Sequence, residues 1–145
     1  LYARRQRQMC IRDRFDTICL RQHAQMPFQQ PIPILRIFDE VLAKRFYCEY
    51  LGFHIVWEHR FEPGLPLYME VKRGQCVLHL SEHHGDASPG AAIRIGHPDV
   101  RILHKELAAK PGYGNNPGIE DQEYGMREVA VIDPFHNRLV FSSAL

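Results

Sequence analysis

The sequence lacks any run of about 18 apolar residues, the length that a membrane-spanning helix needs. Its first residues also lack the apolar stretch and the small-residue cleavage site of a secretory signal. These two absences predict a cytoplasmic protein without a membrane partner.

Cysteine is scarce, with four residues in a chain of 145. Cys10, Cys19, Cys48 and Cys76 have neither the close spacing of a zinc site nor the density of a secreted disulfide scaffold, so we expect free thiols. The sequence also lacks a legible Ser-His-Asp or Cys-His pairing and a glycine-rich phosphate loop. It therefore offers no motif for nucleophilic catalysis or for phosphate binding.

The net charge is small, at +1, but the two parts of the chain differ in sign. Residues 1–26 carry six Arg and two Asp, whereas residues 27–145 carry twelve Lys or Arg and fifteen Asp or Glu, a net charge of −3. An acidic domain repels a polyanion and attracts a cation. We therefore expect no nucleic-acid partner and a preference for a cationic small molecule.

Residues 1–26 show no sustained hydrophobic period of 2 or 3.6. Within them, the letters MCIRDR at 9–14 resemble the translation of an adapter used in sequencing-library preparation, which encodes Met-Cys-Ile-Arg-Asp. We therefore expect 1–26 to be a non-native or disordered segment, with Met26 as a candidate start. The remaining residues, 27–145, are enough for one well-buried domain.

The first half of this domain has strand and helix patterns in a regular order. Asp39 can cap a helix in which Leu42, Phe46 and Tyr50 recur at i, i+4 and i+8, and Gly52 can end it. Runs rich in β-branched and aromatic residues flank this helix. The predicted strands of this half, about 33–82, are 34–37, 53–61, 67–71 and 76–81, in the order βαβββ.

The second half repeats this order. The letters SEHHGDASPG at 81–90 are typical of a linker, after which 92–95 (AIRI) echoes 34–37 (ILRI) at an offset of 58 residues. Asp99 can cap the second helix, which is expected to end at 110–112. This second half spans about 91–143, and a weak strand is predicted at 113–118. An acidic loop at 118–125 follows it. The last two predicted strands, 129–131 and 139–141, form a hairpin around the turn 133–137. Each half must bury one sheet face against a partner, which predicts a single domain built from both.

The repeated βαβββ order, the letters FYCEYLGF at 46–53 and above all IEDQEYGMREVAVIDPFHNRLVF at 119–141 resemble the vicinal oxygen chelate superfamily of glyoxalases, bleomycin-resistance proteins and dioxygenases. The acidic-Gln-x-aromatic-Gly loop, followed by Arg-Glu, a strand and Asp-Pro, is similar to the bleomycin-resistance branch. This resemblance implies an α+β fold in which two βαβββ modules form a concave mixed sheet, and it implies a homodimer.

Two positions depart from the pattern of that branch. His136 stands where Gly is common, at a turn position that favours positive φ, so we expect strain or a changed turn there. Tyr124 stands where the loop usually carries Trp, which keeps a stacking ring but makes it smaller.

The enzymes of the superfamily bind a divalent metal through four side chains, on the first and last strands of each half. The matching positions in this sequence are Ile32, His79, Ala92 and Val140, of which only His79 has a donor atom. We therefore expect no metal, no cofactor and no catalytic residue, and a binding protein rather than an enzyme. His83 and His84 lie in the Gly- and Ser-containing linker, where we expect them to be solvated. A metal-dependent lyase, isomerase or dioxygenase with relocated ligands, or a module that binds a small metabolite, stays open.

The resemblance also implies a ligand. In the resistance proteins a flat aromatic tail of the drug lies between aromatic rings near the dimer crevice, and acidic residues meet its positive charge. The implied function is therefore sequestration of a bleomycin-family glycopeptide antibiotic. The matching positions are Trp57, Phe61, Ser81 and Tyr124, although for Trp57 packing in the core is a competing interpretation.

Two more ligand-binding candidates follow from strand geometry. His79 and Glu70 lie on neighbouring predicted strands and can face one cavity, where we expect His79 to hydrogen-bond. Arg127 and Glu128 are adjacent on a strand and point to opposite faces, so only one of them can line a pocket. We take Arg127 as that candidate.

Overall fold

The computed structural model describes residues 28–110, 113 and 116–145, and the predicted non-native segment 1–26 lies outside these ranges. The helices and strands of the described residues all belong to one unit, residues 32–145. No helix among the described residues is long and apolar enough to cross a membrane. The cytoplasmic location and the domain boundary at residue 27 stay predictions.

The first half forms a four-stranded sheet in the predicted βαβββ order. β1 (Ile34–Arg36) lies parallel to β4 (Cys76–Ser81), and β4, β3 (Tyr68–Arg73) and β2 (His54–His59) pair antiparallel, so the order across the sheet is β1-β4-β3-β2. Between β1 and β2 the chain forms α1 (Glu40–Lys44) and a π-helical segment (Arg45–Tyr50).

The helical segment begins and ends where the sequence predicts. The carboxylate of Asp39 accepts a hydrogen bond from the backbone N–H of Leu42 at 2.8 Å, which satisfies one of the unpaired donors of the first turn. Gly52 follows the last turn with a φ of 72°, a left-handed conformation that glycine adopts without steric cost.

The prediction of one regular α-helix is wrong. The backbone N–H of Leu51 bonds to the carbonyl of Phe46, five residues back, at 2.9 Å, which is the spacing of a π-helix. The wider turn leaves Phe46, Tyr47 and Tyr50 all buried, whereas Leu42, predicted on the buried face, is exposed. A 3.6-residue period cannot describe this segment because the number of residues per helical turn increases where the α-helix becomes a π-helix.

The second half repeats the topology of the first, which confirms the predicted internal repeat. β5 (Ala92–Gly96) lies parallel to β8 (Arg138–Ala144), and β8, β7 (Met126–Ile132) and β6 (Ile119–Gln122) pair antiparallel in the order β5-β8-β7-β6. α2 (Val100–Ala108) begins at Asp99, whose carboxylate accepts from the backbone N–H of Arg101 at 2.9 Å.

The predicted position of the sixth strand is wrong. We expected a weak strand at 113–118 and an acidic loop at 118–125, but β6 is Ile119–Gln122, inside the predicted loop. The residues of β6 are polar and show no alternating apolar pattern. β6 is an edge strand, and its backbone pairing with β7, such as Glu120 opposite Glu128, determines its structure. Gly125, with a φ of 79°, lies in the turn to β7.

The turn between β7 and β8 has the strained residue that the sequence predicts. His136 has a φ of 67°, and it is the only described residue other than glycine with a positive φ. The carboxylate of Asp133 accepts hydrogen bonds from the backbone N–H groups of Phe135 and Asn137 at 2.8 and 2.7 Å. These bonds hold the turn in spite of the strain at His136.

One hydrophobic cluster takes buried side chains from both sheets, from α1, from the π-helical segment and from α2. In β3, for example, Met69 and Val71 are buried in this cluster, while Tyr68 and Glu70 alternate with them and are only half-buried. Each sheet therefore has a covered face and an open face. The open faces are where side chains remain available for a ligand.

Candidate functional site

The open face of the first sheet carries aromatic, imidazole and carboxylate groups side by side. Strand pairing places Trp57 opposite Glu70, His59 opposite Tyr68, and Glu70 opposite His79. We call these residues, Trp57, His59, Tyr68, Glu70 and His79, the aromatic face.

A β-bulge in β2 brings Trp57 to this face. Ile55 pairs with Val71, a core residue, and without an irregularity Trp57 would lie on that same covered side. The register shifts between Ile55 and Trp57, so that Trp57 pairs with Glu70 instead. The indole is 41% exposed, so the competing interpretation of Trp57 as a core residue is wrong.

Trp57 stacks on Tyr68 in a nearly parallel arrangement. The two ring centroids are 5.8 Å apart and the ring planes differ by 6°, while the edge of His79 meets Trp57 at 5.5 Å and 73°. Offset stacking and edge contacts of this kind contribute about 0.5–1.5 kcal/mol per pair beyond area burial. The contacts hold the indole flat and leave part of its surface open.

His79 is fixed by hydrogen bonds at both ring nitrogens. Its Nε2 lies 3.0 Å from a Glu70 carboxylate oxygen, which can only accept, and its Nδ1 lies 2.8 Å from the Tyr68 hydroxyl. In the tautomer with the proton on Nε2, the ring donates to Glu70 and accepts from Tyr68. This arrangement confirms that Glu70 and His79 meet, and it makes His79 a hydrogen-bonding residue.

A cavity of about 360 Å³ opens beside the aromatic face. We call it the aromatic cavity, and it is lined by His59, Phe61, Tyr68, His83 and Asp86. Phe61 is 74% exposed, and its ring meets the edges of His59 at 5.0 Å and of His83 at 6.0 Å. We expected both linker histidines to be solvated. His83 is instead half-buried against Phe61, whereas His84 is exposed.

Ser81 supports the acidic wall of this cavity. It is fully buried, its hydroxyl donates to Asp86 at 2.6 Å, and it accepts from the backbone N–H of His83 at 3.0 Å. Burial, and next to it the negative charge of Asp86, raises the pKa of the Tyr68 hydroxyl. Asp86 itself is exposed, and no Lys or Arg among the described residues pairs with it.

The second sheet presents a polar group around Glu128. The Tyr124 hydroxyl donates to the Glu128 carboxylate at 2.6 Å, Arg94 pairs with the same carboxylate, and the Arg94 guanidinium lies 5.9 Å from the Tyr124 ring centre. The Tyr124 hydrogen bond and then Arg94 lower the pKa of Glu128. We call Arg94, Tyr124 and Glu128 the Glu128 cluster.

Arg127 lies on the other face of β7, with the core residue Val129. Its guanidinium makes two hydrogen bonds to Asp121, at 2.5 and 2.8 Å. Of the adjacent pair, Glu128 therefore points to the open face and Arg127 does not. The two neighbours point to opposite faces of the strand, and the choice of Arg127 as a ligand-binding residue stays a prediction.

The structure brings together four of the six residues chosen from sequence. Trp57, His79 and Ser81 on the first sheet, and Phe61 just after β2, meet through Tyr68 and Asp86. Tyr124 lies in the turn between β6 and β7 and Arg127 lies on β7, and their polar partners are Glu128 and Asp121. Sequence reasoning missed Tyr68, His59 and Asp86, although the pairing of β2 with β3 would have indicated the first two.

The positions that would hold a metal in this fold do not fit one. Ile32, Ala92 and Val140 have no donor atom, and both ring nitrogens of His79 are engaged by Tyr68 and Glu70. Among the described residues, no group of three or more His, Cys, Asp or Glu side chains is arranged to hold a metal ion. The expectation of no metal stays a prediction.

Comparison with known families matches residues 17–144 to a family model described as glyoxalase superfamily protein. The match covers most of the chain and both βαβββ halves. A comparison with curated protein sequences finds no match.

Solved structures with the same fold include bleomycin-binding proteins. A bleomycin-binding protein complexed with bleomycin is 25% identical, with a TM-score of 0.61, over 81% of this chain and 100% of that one. The bleomycin-binding protein of Streptomyces verticillus, complexed with copper(II)-bleomycin, is 27% identical, also at 0.61, over 83% and 99% of the two chains. A glyoxalase family protein from Enterococcus faecalis shares the fold at 16% identity and a TM-score of 0.62, over 81% and 100%.

Proposed function

The chain belongs to the glyoxalase superfamily, and on this premise we propose that it is a non-enzymatic protein that sequesters a bleomycin-family glycopeptide antibiotic. The observation that carries the proposal is the nearly parallel pair of Trp57 and Tyr68 on an open sheet face. A protein that only sequesters needs a surface that binds, and no group that transfers a proton or breaks a bond.

A flat ligand suits the aromatic face. The exposed part of Trp57 is held flat by Tyr68 and His79, and Phe61 stands at the neighbouring cavity with most of its ring exposed. A planar heteroaromatic tail can stack on these rings and displace water from them. Because the rings are already packed against one another, little side-chain entropy is lost when the ligand binds.

A cationic ligand suits the same place. Asp86 lines the aromatic cavity without a cationic partner among the described residues, and residues 27–145 carry a net charge of −3. Long-range attraction of this sign raises the association rate of a cation and weakens with added salt. This combination of flat rings and negative charge supports a cationic drug with an aromatic tail.

The solved relatives support the same ligand class. Two of them are bleomycin-binding proteins complexed with the drug, at 25% and 27% identity over more than four fifths of this chain. In this chain Tyr124 replaces the Trp common to the resistance branch, and we propose a weaker, micromolar complex as the result.

We further propose that the chain acts as a homodimer. Tyr124, in the turn between β6 and β7, and Glu128, on β7, contact Arg94 at the second sheet, whereas Trp57, on β2, and Phe61, just after β2, belong to the first half. A second copy that faces its Glu128 cluster toward the aromatic face would enclose the drug from both sides. Analytical ultracentrifugation checks this step, and a monomer at micromolar concentration in the presence of drug would contradict it.

Binding without metal catalysis is part of the proposal, since three of the four family positions lack donor atoms. Elemental analysis of protein purified without a histidine tag tests it. One zinc, iron, nickel or manganese ion per chain, lost together with an activity on treatment with chelator, would contradict it and favour the enzymes of the superfamily.

Calorimetric titration with bleomycin tests the function itself. We expect saturation near one drug per chain, and we expect Phe61→Ala to weaken binding by about 1–3 kcal/mol because it removes an exposed aromatic contact. Phe38→Ala is the matched control, since Phe38 is also exposed but packs near Phe135. Equal effects of the two substitutions would contradict the assigned site, and absence of binding by the unmodified chain would contradict the function.

A further inference from the structure

A second and larger cavity, of about 470 Å³, shares no residue with the aromatic cavity. We call it the Cys76 cavity. It lies where the turn between β3 and β4 meets the end of β5, the start of α2 and the end of the π-helical segment. Its lining residues are Leu51, Phe53, Arg73, Gly74, Gln75, Cys76, Ile95, Gly96, His97, Pro98, Leu103 and Phe141. Its volume falls within the range of about 300–1,000 Å³ that is typical of small-molecule sites.

The floor of the Cys76 cavity is apolar. Leu51, Phe53, Leu103 and Phe141 are buried members of the hydrophobic cluster, and Cys76 packs against that cluster as a free, half-buried thiol. Burial raises the pKa of the Cys76 thiol. An apolar ligand group placed here would be removed from water on several sides, which favours binding.

Cationic and donor groups surround the cavity. Arg73 donates to the carbonyl of Leu51 and to the Glu106 carboxylate at 2.6 Å, and Lys110 donates to the same carboxylate at 3.1 Å. Two cations therefore share one carboxylate, so the three groups together carry a net positive charge, and of the three Arg73 is the one that lines the cavity. Arg73 lines it directly and has further N–H groups beyond those two bonds.

His97 and Gln75 add two donors. The Nδ1 atom of His97 accepts a hydrogen bond from the backbone N–H of Asp99 at 3.1 Å, so the neutral ring carries its proton on Nε2. Gln75 is exposed on the β3–β4 turn, and its side chain makes no hydrogen bond within the described part of the chain. The cavity thus combines an apolar floor with donors and a cation, and it has no free carboxylate among its lining residues.

We propose that the Cys76 cavity is a binding site for a small apolar carboxylate, such as a medium-chain fatty acid. The hydrocarbon part packs on Leu51, Phe53 and Phe141, and the carboxylate meets Arg73 and the neighbouring donors. This site is independent of drug binding, because it has none of the residues of the aromatic face.

Protection of Cys76 from alkylation tests the site on the full chain. Octanoate is the probe, and peptide mass spectrometry after brief labelling with a maleimide follows each cysteine separately. We expect saturating octanoate to slow the labelling of Cys76 at least several-fold. Cys48 is the internal control, because it is also a free, half-buried thiol whose pKa is raised by burial, and it lies outside the cavity.

Octanol, with the same chain length and no charge, tests the role of the carboxylate. We expect it to protect Cys76 clearly less than octanoate at equal concentration. Equal protection by both compounds, equal protection of Cys48, or no change at Cys76 would each overturn the proposal. Failure of Cys76 to react at all in the native protein would also overturn it, since the cavity would then be closed to small molecules.

A substitution on the exposed turn supplies a second measurement. Gln75→Glu places a negative charge among the lining residues without removing a hydrogen bond, and we expect it to weaken octanoate several-fold by repulsion. Gln122→Glu, the same change on the second sheet, is the control. Unchanged octanoate binding in Gln75→Glu, or an equal loss in both variants, would overturn the proposal.

Discussion

The hydroxyl of Tyr47 donates a hydrogen bond of 2.7 Å to the carboxylate of Asp133, 86 residues further along the chain. Both groups are buried, and the amide of Asn137 donates to the same carboxylate and to the carbonyl of Arg36, each at 2.8 Å. A residue of the π-helical segment in the first half is thereby tied to the last turn of the second. Buried networks of this kind stabilise only when every member has a partner.

Tyr47→Phe is expected to lower the free energy of unfolding by about 1–3 kcal/mol. The substitution keeps the ring in the core and leaves a buried carboxylate oxygen with one donor fewer. Urea unfolding followed by circular dichroism measures the change. Tyr113→Phe is the control, since its hydroxyl bonds to Glu49 at an exposed site, and a loss as large as that of Tyr47→Phe would contradict the prediction.

Alkaline pH should reduce the contribution of the Tyr47 hydroxyl to the free energy of unfolding. Burial and then the negative charge of Asp133 raise the pKa of Tyr47 well above its ordinary value of 10.0. The unfolded chain therefore loses this proton at lower pH than the folded chain, so the contribution is complete below about pH 10 and declines above it. We expect the difference in unfolding free energy between the unmodified chain and Tyr47→Phe to stay constant up to about pH 10 and to shrink as the pH rises further. The absence of any decrease above pH 10 would contradict this.

His136→Gly is expected to stabilise the protein. The residue has a φ of 67° and an exposed side chain, so the change removes left-handed strain of about 1 kcal/mol and few contacts. His136→Ala keeps the strain and serves as the matched variant. In thermal unfolding, the midpoint of His136→Gly should be higher than that of the unmodified chain, and the midpoint of His136→Ala should be equal to or lower than that of the unmodified chain. Ala as stable as Gly would show that the turn carries no strain.

The elements of this fold could be read from sequence where a local rule decides them. Asp39 and Asp99 cap the two helices as predicted, and the positive φ of His136 follows from the turn. The position of β6 was not predicted, because its polar residues are held by backbone pairing with β7. The π-helical geometry was not predicted, because the pattern of Phe46 and Tyr50 is equally consistent with a regular α-helix.

The candidate site was predicted less completely, because it depends on which residues face each other across strands. Trp57 reaches the open face through a bulge that no periodicity reveals. Glu128, and not Arg127, lies on the face of β7 opposite the core residue Val129, although Glu128 itself is buried, since one residue of register decides the face. Asp86 lies in a linker, and only the hydrogen bond from Ser81 shows where its carboxylate points.

Asp86→Asn is expected to weaken bleomycin binding by about 0.5–1 kcal/mol and to flatten its dependence on salt. The change removes the charge at the aromatic cavity but keeps an acceptor for the Ser81 hydroxyl, so the fold should stay intact. Calorimetric titrations at low and moderate ionic strength measure both effects.

Glu58→Gln is the control for this charge change. Glu58 is on β2, pairs with Lys44, and lies outside the aromatic cavity, so its substitution should leave drug affinity almost unchanged. If both variants lost the same affinity, the net charge of the domain, and not the carboxylate of Asp86, would account for the attraction.

The most direct test of the proposed function is the fluorescence of Trp57, the only tryptophan in the chain, during titration with bleomycin. If the drug stacks on the aromatic face, the emission should be quenched and should saturate near one drug per chain, after correction with free N-acetyltryptophanamide for absorption by the drug. Emission that stays unchanged up to about 100 μM bleomycin, a concentration that would reveal any micromolar complex, would contradict drug binding at this site.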